Sequence, residues 1–156
     1  MNAFFRCIDG CETHPLDEVV YQCTKCGKLL EVVHDMDALK KKSAAEWKKV
    51  FESRSANSPF PHNSGVWAKK EWVNPQLEDQ FVVSLGEGNN PLTPLPRLAL
   101  EMGLKNLWIK HCGNTHTGSF KDLGMTALVS QVNQMMHKTS NNIKAVACAS
   151  TGDTSA

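Results

Sequence analysis

Four cysteines within the first 26 residues constrain the fold of this chain more than any other feature. They form a C-x3-C pair and a C-x2-C pair joined by a short segment: Cys7, Cys11, Cys23 and Cys26. Four thiolates in this pattern suit tetrahedral zinc, and the glycine after the last cysteine lets backbone amides reach a sulfur without a side-chain clash. We therefore predict a zinc-ribbon-like segment over residues 1–35 with these cysteines as metal ligands. Reduced cysteines without metal are the alternative, and His14 and His34 are the alternative ligands.

Strand and helix patterns flank and follow the second cysteine pair. Apolar residues at 19–21 and 29–33 predict a β-hairpin around that pair. Residues 36–51 place apolar side chains among lysines and glutamates. This pattern predicts one or two helices, with Asp35 available as the cap.

A change in composition after these helices indicates the domain organisation. Residues 53–64 are rich in turn-forming residues and include two prolines, so we predict an irregular connection with the main boundary nearby. A helical and irregular region is predicted over residues 36–95. The beginning of an α/β domain, truncated in this sequence, is predicted over residues 96–156.

The last third of the chain carries a strand, helix and strand pattern. Residues 107–110 and 143–149 are short apolar runs, and residues 121–138 repeat apolar side chains at helical spacing. Ser119 and Asp122 have the spacing of a capping box at the start of that helix. Two strands joined by a helix predict a parallel sheet and an α/β fold.

Two loops in this region combine the residue types that bind anions. Residues 114–122 bring small, permissive residues to a lysine, Lys121, at a helix N-terminus, where free backbone amides favour anions. A capped helix with a solvated lysine is the alternative for this loop taken alone. Residues 150–155 follow the next predicted strand, where open parallel sheets bind ligands, and they offer hydroxyls and amides. Together the loops predict a site for a phosphorylated ligand.

Five strings in this sequence resemble one family. TGSFKD at 117–122 and ASTGDTSA at 149–156, in this order and spacing, resemble threonine synthase within the fold-type II pyridoxal-phosphate (PLP) enzymes. LGEGN at 85–89 resembles an upstream motif of the family, and SGVW at 64–67 and KKEW at 69–72 are similar to its plant-type branch. The resemblance covers most of the chain.

Two positions depart from the most common family pattern. Many relatives have asparagine where Asp153 stands, but the plant-type branch also has aspartate, so this residue sharpens the subgroup. Asn90 stands where threonine is usual, which affects the expected local contacts.

The resemblance implies a fold, three cofactor-contacting residues and a set of substrate-binding residues. The fold would be the start of a fold-type II parallel sheet with helices. Lys121 would hold PLP covalently, a role that requires a primary amine. Phe120 would pack near the cofactor, and Asp153 would lie beside its ring hydroxyl. The residues implied in binding the substrate carboxylate are Ser150, Thr151 and Thr154.

The resemblance also implies a reaction. O-phospho-L-homoserine and water would give L-threonine and phosphate, with Lys121 moving protons between substrate carbons. A homodimer is compatible with the family. The later glycine-rich loop that the family uses for the cofactor phosphate is absent from these 156 residues, so we expect the chain alone to be inactive.

Other functions fit parts of the sequence. Another fold-type II PLP lyase, such as a cysteate synthase or a threonine or serine dehydratase, would share the lysine loop. A zinc-ribbon binding module without catalysis is an alternative of another class. A net charge of +1 argues against a nucleic-acid partner. No apolar stretch approaches a membrane span and no signal pattern follows Met1, so we expect no membrane association and a cytoplasmic location.

Overall fold

A three-stranded antiparallel sheet forms at the N-terminus of the computed structural model, which describes residues 1–54, 57–138 and 143–154. Its strands, in spatial order, are β2 (Thr13–Pro15), β1 (Ala3–Cys7) and β3 (Leu30–His34). Phe5, at the middle of β1, faces His14 on one side and Val32 on the other. The central strand, β1, ends at Cys7, so the first cysteine is itself a paired residue of the sheet.

The predicted hairpin around the second cysteine pair is wrong in its pairing. Residues 19–21 form no strand, and β3 pairs with β1, where Cys7 lies opposite Leu30. This arrangement brings the end of β1 close to the second cysteine pair, which a local hairpin would not do. Contacts between distant segments, which bring the cysteines together, therefore determine which strands pair. The local β-propensity of residues 19–21 does not.

The two predicted helices after the sheet are confirmed. The first, α1 (Met36–Lys40), begins at Asp35, whose carboxylate accepts a hydrogen bond from the Ala38 amide at 2.9 Å. The second, α2 (Ala44–Glu52), begins with a capping box between Ser43 and Glu46. Trp47 of α2 donates its indole N–H to the Leu39 carbonyl at 3.0 Å, which fixes the two helices against each other.

An aromatic cluster and an ion pair follow α2. Trp47, Phe51 and Trp72 contact one another with ring centroids 4.9–5.7 Å apart. Trp72 belongs to the short helix α3 (Lys70–Val73), which follows a 3₁₀ turn. Arg54 donates to both Glu71 carboxylate oxygens, at 2.6 and 2.7 Å, and this pair holds α3 against the end of α2. Within the predicted irregular connection, residues 55 and 56 lie outside the described residues.

The core is built between the middle of the chain and the helix α5 (Asp122–Lys138). Trp67, Leu77 and Val82 form a buried cluster against which Ala127 of α5 packs. The Trp67 indole donates to the Thr126 hydroxyl at 2.9 Å. That hydroxyl donates in turn to the Val83 carbonyl at 2.6 Å. The predicted helix over residues 121–138 is therefore confirmed, and it is the element that organises the core.

A second, two-stranded sheet precedes α5. Its strands β4 (Leu92–Pro94) and β5 (Trp108–Lys110) pair antiparallel, with Thr93 opposite Ile109. The helix α4 (Pro96–Glu101) connects them and begins with proline at its first turn. The predicted strand at 107–110 is therefore confirmed as β5. It pairs with β4, the strand that precedes it in the chain.

The predicted parallel sheet is wrong for the described residues. Both of their sheets are antiparallel, and residues 143–150 have no strand conformation. A strand needs a hydrogen-bonded neighbour, and none of the described segments supplies one to this run. Residues 143–147 instead line an apolar cavity with Val132 and Met135 of α5. What remains of the predicted class is a mixed α and β fold.

No helix in residues 1–54, 57–138 and 143–154 combines the length and apolar character that a membrane span requires.

The Thr126 hydroxyl offers a test of the core. We expect Thr126→Val to lower the free energy of unfolding by about 1–3 kcal/mol, because it leaves the buried Trp67 N–H without an acceptor and removes the shorter of the two hydroxyl contacts to the Val83 carbonyl. Urea unfolding followed by tryptophan fluorescence measures this change. Thr13→Val, the same change at an exposed residue, is the control and should stay within about 0.5 kcal/mol of the unchanged protein. Equal effects of the two variants would contradict the assignment.

Candidate functional site

The loop that carries Lys121 is closed by the residue that follows the lysine. The Asp122 carboxylate accepts hydrogen bonds from the Thr117 amide at 3.3 Å and the Thr117 hydroxyl at 2.7 Å. The Ser119 amide donates to the Thr117 hydroxyl at 3.2 Å. The predicted capping box between Ser119 and Asp122 is thus replaced by a Thr117–Asp122 contact. Gly118 has a φ of +78°, which lets the loop turn back before Lys121 enters α5.

Asp122 is the main negative charge beneath this loop. It is 8% exposed. Burial opposes ionisation of its carboxyl, but hydrogen bonds from Thr115 and Thr117 outweigh burial and lower its pKa. His116 lies with its Nε2 3.7 Å from the carboxylate and favours the same ionised state. The loop is therefore built around a carboxylate that stays charged at neutral pH.

The residue that follows the upstream motif at 85–89, Asn90, contacts the lysine loop. The Asn90 side-chain amide donates to the Asn114 carbonyl at 3.0 Å, and Lys110 donates to the Asn90 carbonyl at 3.3 Å. Asn90, where threonine is usual in the family, is thus the residue that ties the two segments together here.

Two glycines allow the upstream motif to touch the segment around Trp67. A Cβ on Gly65 would lie 2.1 Å from the Asn89 amide nitrogen, and one on Gly88 would lie 2.7 Å from the Gly65 backbone. Neither position leaves space for a side chain, because the neighbouring atoms are backbone atoms that cannot rotate away. Inside the motif, the Glu87 carboxylate accepts from the Leu85 amide at 3.0 Å.

Lys121 and the second loop line one cleft of about 500 Å³. The other lining residues are Ala149, Ser150, Thr151 and Thr154. The Ser150 hydroxyl oxygen accepts hydrogen bonds from the Gly152 and Thr154 amides, both at 3.1 Å, and so shapes the loop from inside. An amine and three hydroxyls facing one cleft suit a ligand with an aldehyde and anionic groups, so these residues fit PLP and an amino-acid carboxylate.

The structure places the predicted site residues in two groups. Lys121, Ser150, Thr151 and Thr154 share the cleft. Phe120 is 60% exposed and Asp153 is exposed, and neither is among the lining residues. Their roles beside the cofactor stay predictions.

A smaller cavity of about 190 Å³ adjoins the cleft through Thr154. Its polar walls come from Glu87, His116, Thr117 and Asp122. Sequence reasoning missed this joint arrangement because Asp122 fits a helix cap and Glu87 belongs to a separate motif. The available signal was that each of the two motifs contains glycine and one carboxylate: Glu87 in residues 85–89 and Asp122 in residues 117–122.

The four N-terminal cysteines converge as predicted. Their sulfurs all lie within 4.8 Å of one another, and the Cys26 sulfur is 3.5 Å from both the Cys7 and Cys11 sulfurs. Zinc–sulfur bonds of about 2.3 Å in a tetrahedron separate the sulfurs by about 3.8 Å, so small adjustments would accommodate the metal. Cys7 and Cys23 are buried, while Cys26 is exposed. All six cysteines of the chain are free thiols.

Two tight turns hold these cysteines in place. The Gly10 amide donates to the Cys7 carbonyl at 2.7 Å, and the Gly27 amide donates to the Cys23 carbonyl at 2.9 Å. Both glycines have φ near +72°, in the left-handed region that favours glycine. The turns correspond to the C-x3-C and C-x2-C pairs, so each pair is presented by its own knuckle.

The thiols differ in acidity. Burial opposes ionisation of Cys7, but hydrogen bonds from the backbone of Asp9 and Cys11 outweigh it and lower its pKa to about 7. Burial raises the pKa of Cys23 to about 11. A bound divalent cation would favour the thiolate at every ligand and would release protons on binding.

The alternative ligands His14 and His34 lie outside this group. His14 sits between two carboxylates, with its ring nitrogens 3.1 Å from Glu12 and 3.0 Å from Glu18. Hydrogen bonds with these two glutamates raise the pKa of His14. Among the described residues, the group with metal-binding geometry contains the four cysteines alone.

The cysteine-rich sheet is fastened to the helix that follows Lys121. Gln131 of α5 donates to the Leu16 carbonyl at 3.0 Å and accepts from the Asn74 side chain at 2.7 Å. The Ala3 amide donates to the Gln76 side chain at 2.7 Å. The possible metal site and the lysine cleft therefore belong to one connected structure.

Comparison with known proteins finds similar sequences along most of the chain. Residues 83–156 match the family described as pyridoxal-phosphate dependent enzyme. The chain is 49% identical over 146 residues to threonine synthase 2, chloroplastic, of Arabidopsis thaliana, across 93% of this chain and 28% of that protein. It is 38% identical over 151 residues to the threonine synthase of Methanocaldococcus jannaschii, across 97% of this chain and 33% of that protein. With the threonine synthase of Methanosarcina acetivorans it shares 34% identity over 151 residues, across 97% and 32%.

Lys121 and the second loop both lie within the segment that matches this family. More particularly, the chain is a homologue of threonine synthases, as the motifs predicted. It spans a third or less of the length of these three relatives.

The lowered pKa of Asp122 predicts a pH-dependent stability. A carboxylate whose folded pKa lies below its unfolded value stabilises the fold above the unfolded pKa, and this contribution is lost as pH falls through the folded pKa. Asp122→Asn should lower the free energy of unfolding at pH 7 by about 1.5–3 kcal/mol, since that is the usual contribution of hydrogen bonds to a charged group. The difference from the unchanged protein should shrink below about pH 4.

Urea unfolding at pH 7 and at about pH 3 measures this difference. Asp17→Asn, at an exposed aspartate, is the control and should have little effect at either pH. A deficit in Asp122→Asn that stays constant between the two pH values would show that ionisation of Asp122 does not carry the effect.

Proposed function

We propose that this chain is the lysine-bearing part of a threonine synthase, which converts O-phospho-L-homoserine and water to L-threonine and phosphate with PLP. The observation that carries the proposal is the cleft in which Lys121 meets Ser150, Thr151 and Thr154 from a separate loop. Homology to threonine synthases along almost the whole chain supports the choice of reaction.

Lys121 is the catalytic residue of this proposal. PLP, when bound, withdraws electrons from the substrate carbons and so makes their protons removable. Lys121 holds the cofactor through its amine and, once that amine is free, accepts and returns protons at Cα and Cβ of the substrate. The closed Thr117–Asp122 loop orients this amine, because it fixes the backbone on either side of the lysine.

The second loop binds the substrate carboxylate in this proposal. The Ser150 oxygen is engaged by two amides, which leaves its hydroxyl proton to donate to a carboxylate. Thr151 and Thr154 add two further hydroxyl donors on the same side of the cleft. Phe120 packs near the cofactor and Asp153 lies beside its ring hydroxyl once the site is assembled.

The N-terminal cysteines bind one structural zinc ion in this proposal. The convergence of four sulfurs within 4.8 Å supports it. The zinc fixes residues 1–35 as a ribbon-like unit, residues 36–95 form the helical and irregular region, and residues 96–156 begin the cofactor domain. A homodimer and a cytoplasmic location complete the proposal.

Two other functions are weaker fits. A cysteate synthase or a threonine or serine dehydratase would use the same lysine cleft, but the three relatives named above are threonine synthases. A zinc-ribbon binding module without catalysis would account for the cysteines alone. It would not account for the cleft that Lys121 and the second loop line together.

The Lys121 assignment is tested in the longer protein that contains this chain. Lys121→Arg should lower phosphate release from O-phosphohomoserine by at least about 10²- to 10⁴-fold, because arginine keeps the charge but cannot form the covalent bond or move the protons. Lys144→Arg, at an exposed neighbour of the second loop, is the matched control and should retain activity.

Ordinary turnover by Lys121→Arg would refute the assignment. Turnover of a dehydratase substrate, without threonine formation from O-phosphohomoserine, would favour the alternative lyase. The 156-residue chain alone should bind PLP weakly and form no threonine.

The zinc assignment is tested on the purified chain by elemental analysis. We expect about one zinc ion per chain, and a steep loss of affinity in Cys23→Ser or Cys26→Ser because a ligand is removed. Cys112→Ser and Cys148→Ser, at the two cysteines outside the cluster, should keep the metal. Absence of zinc after anaerobic purification would remove the claim.

A further inference from the structure

A groove of about 630 Å³ lies between β3 and the helices α1, α2 and α3. It shares no lining residue with the Lys121 cleft. The indole bond from Trp47 to Leu39 fixes two of its walls, and Trp72 stands edge-on to Trp47 with ring centroids 5.7 Å apart. Val32 and Val33 of β3 form the opposite wall. The volume is in the range of about 300–1,000 Å³ that small-molecule sites occupy.

The charged residues that line this groove are cationic. Lys40 and Lys42 contribute to its wall, and none of the described lining residues carries a carboxylate. The Lys42 ammonium lies 5.8 Å above the Trp47 ring, and its charge also lowers the pKa of Glu46.

Three carboxylates around the groove are already engaged. Asp35 caps α1, Glu46 completes the capping box of α2, and Glu71 pairs with Arg54. Positive charge at the groove is therefore only partly balanced by the protein itself.

One buried polar atom in the groove wall has no hydrogen-bond partner. His34 lines the groove, and its Nε2 is buried without a partner in the described part of the chain. A buried imidazole nitrogen left unpaired is unfavourable, so a ligand group that reached it would gain a hydrogen bond at little desolvation cost. His34 lines the same groove as the two lysines, but its Nε2 has almost no accessible surface, so a ligand reaches this atom only when the imidazole rotates into the groove.

We propose that this groove binds a small aromatic carboxylate. Trp72, which is 49% exposed, offers its indole to an aromatic ring, the buried Trp47 forms the floor, and the valines of β3 cover the other side. Lys40 and Lys42 bind the carboxylate, and His34 Nε2–H, once rotated into the groove, donates to it. The proposal is independent of the PLP reaction, since no residue of the Lys121 cleft takes part.

The test uses three probes that share one ring and differ in charge: 3-phenylpropionate, 3-phenylpropanol and 3-phenylpropylamine. Each is titrated into the ¹⁵N-labelled chain, and the four indole N–H signals are assigned by single Trp→Phe variants. We expect 3-phenylpropionate to shift the Trp47 and Trp72 signals in a saturable manner and to leave Trp67 and Trp108 unchanged. The neutral and cationic probes should bind at least about tenfold more weakly.

Charge variants separate the groove from general electrostatic attraction. Lys40→Gln with Lys42→Gln should raise the Kd for 3-phenylpropionate by about tenfold. Lys48→Gln with Lys49→Gln removes the same charge from α2 outside the groove lining and should change the Kd by less than about twofold. His34→Phe should weaken 3-phenylpropionate more than 3-phenylpropanol, because a hydrogen bond to a charged acceptor is stronger than one to a hydroxyl. Dispersed amide spectra of each variant confirm that it remains folded.

Three outcomes would overturn the proposal. The first is equal affinity for the three probes, which would indicate simple apolar adsorption. The second is an equal loss of affinity in the two double-lysine variants. The third is concentration-dependent self-association that shifts the Trp47 and Trp72 signals while no probe binds, which would make a second copy of the chain the occupant.

Discussion

The hydroxyl of Thr126 is the point on which the packing of this chain depends. It accepts the indole N–H of Trp67, which is fully buried, and donates to the carbonyl of Val83. Ser130, one turn further along α5, donates to the Thr126 carbonyl and accepts from the Val83 amide. The hydroxyls of Thr126 and Ser130 thereby provide hydrogen-bond partners for the Trp67 indole N–H and for the carbonyl and amide of Val83. Without them, α5 would cover unpaired polar atoms, which a core does not tolerate cheaply.

This packing explains how a lysine on one segment comes to face hydroxyls on another. The N-terminus of α5 is fixed by Thr126 and by the Thr117–Asp122 contact, so the position of Lys121 follows from the helix. Gln131, farther along α5, holds the cysteine-rich sheet through the Leu16 carbonyl. One helix therefore connects the proposed zinc unit, the buried core and the proposed cofactor lysine.

Local signals in the sequence predicted the helices and the cysteine cluster, and nonlocal pairing accounts for the errors. Asp35 and Ser43 cap α1 and α2, and a cap is readable because its partners lie within four residues. The partner of β3 lies more than twenty residues away, and residues 143–149 have no neighbouring strand among those described. Strand pairing is set by such distant contacts. Local propensity alone therefore could not show that the predicted hairpin and parallel sheet do not form.

The candidate site was predictable to a similar extent. Lys121 and the hydroxyls at 150, 151 and 154 could be paired because two loops matched a known family in order and spacing. Motif matching assigns a residue to a site but does not say how the surrounding backbone is held. The contact of Asp122 with Thr117, and that of Asn90 with Asn114, depend on loop geometry that no spacing rule fixes.

The backbone contact between Gly65 and Gly88 limits how this sequence can change over evolutionary time. Most core contacts tolerate drift because a change in one side chain can be offset by a change in its neighbour. Here the Cβ of any larger residue would meet backbone at 2.1 to 2.8 Å, so no compensating side chain exists. The two positions must remain glycine together or the two segments must follow different paths. A homologous sequence with a larger residue at either position therefore reports a rearranged backbone, even where every other motif is intact.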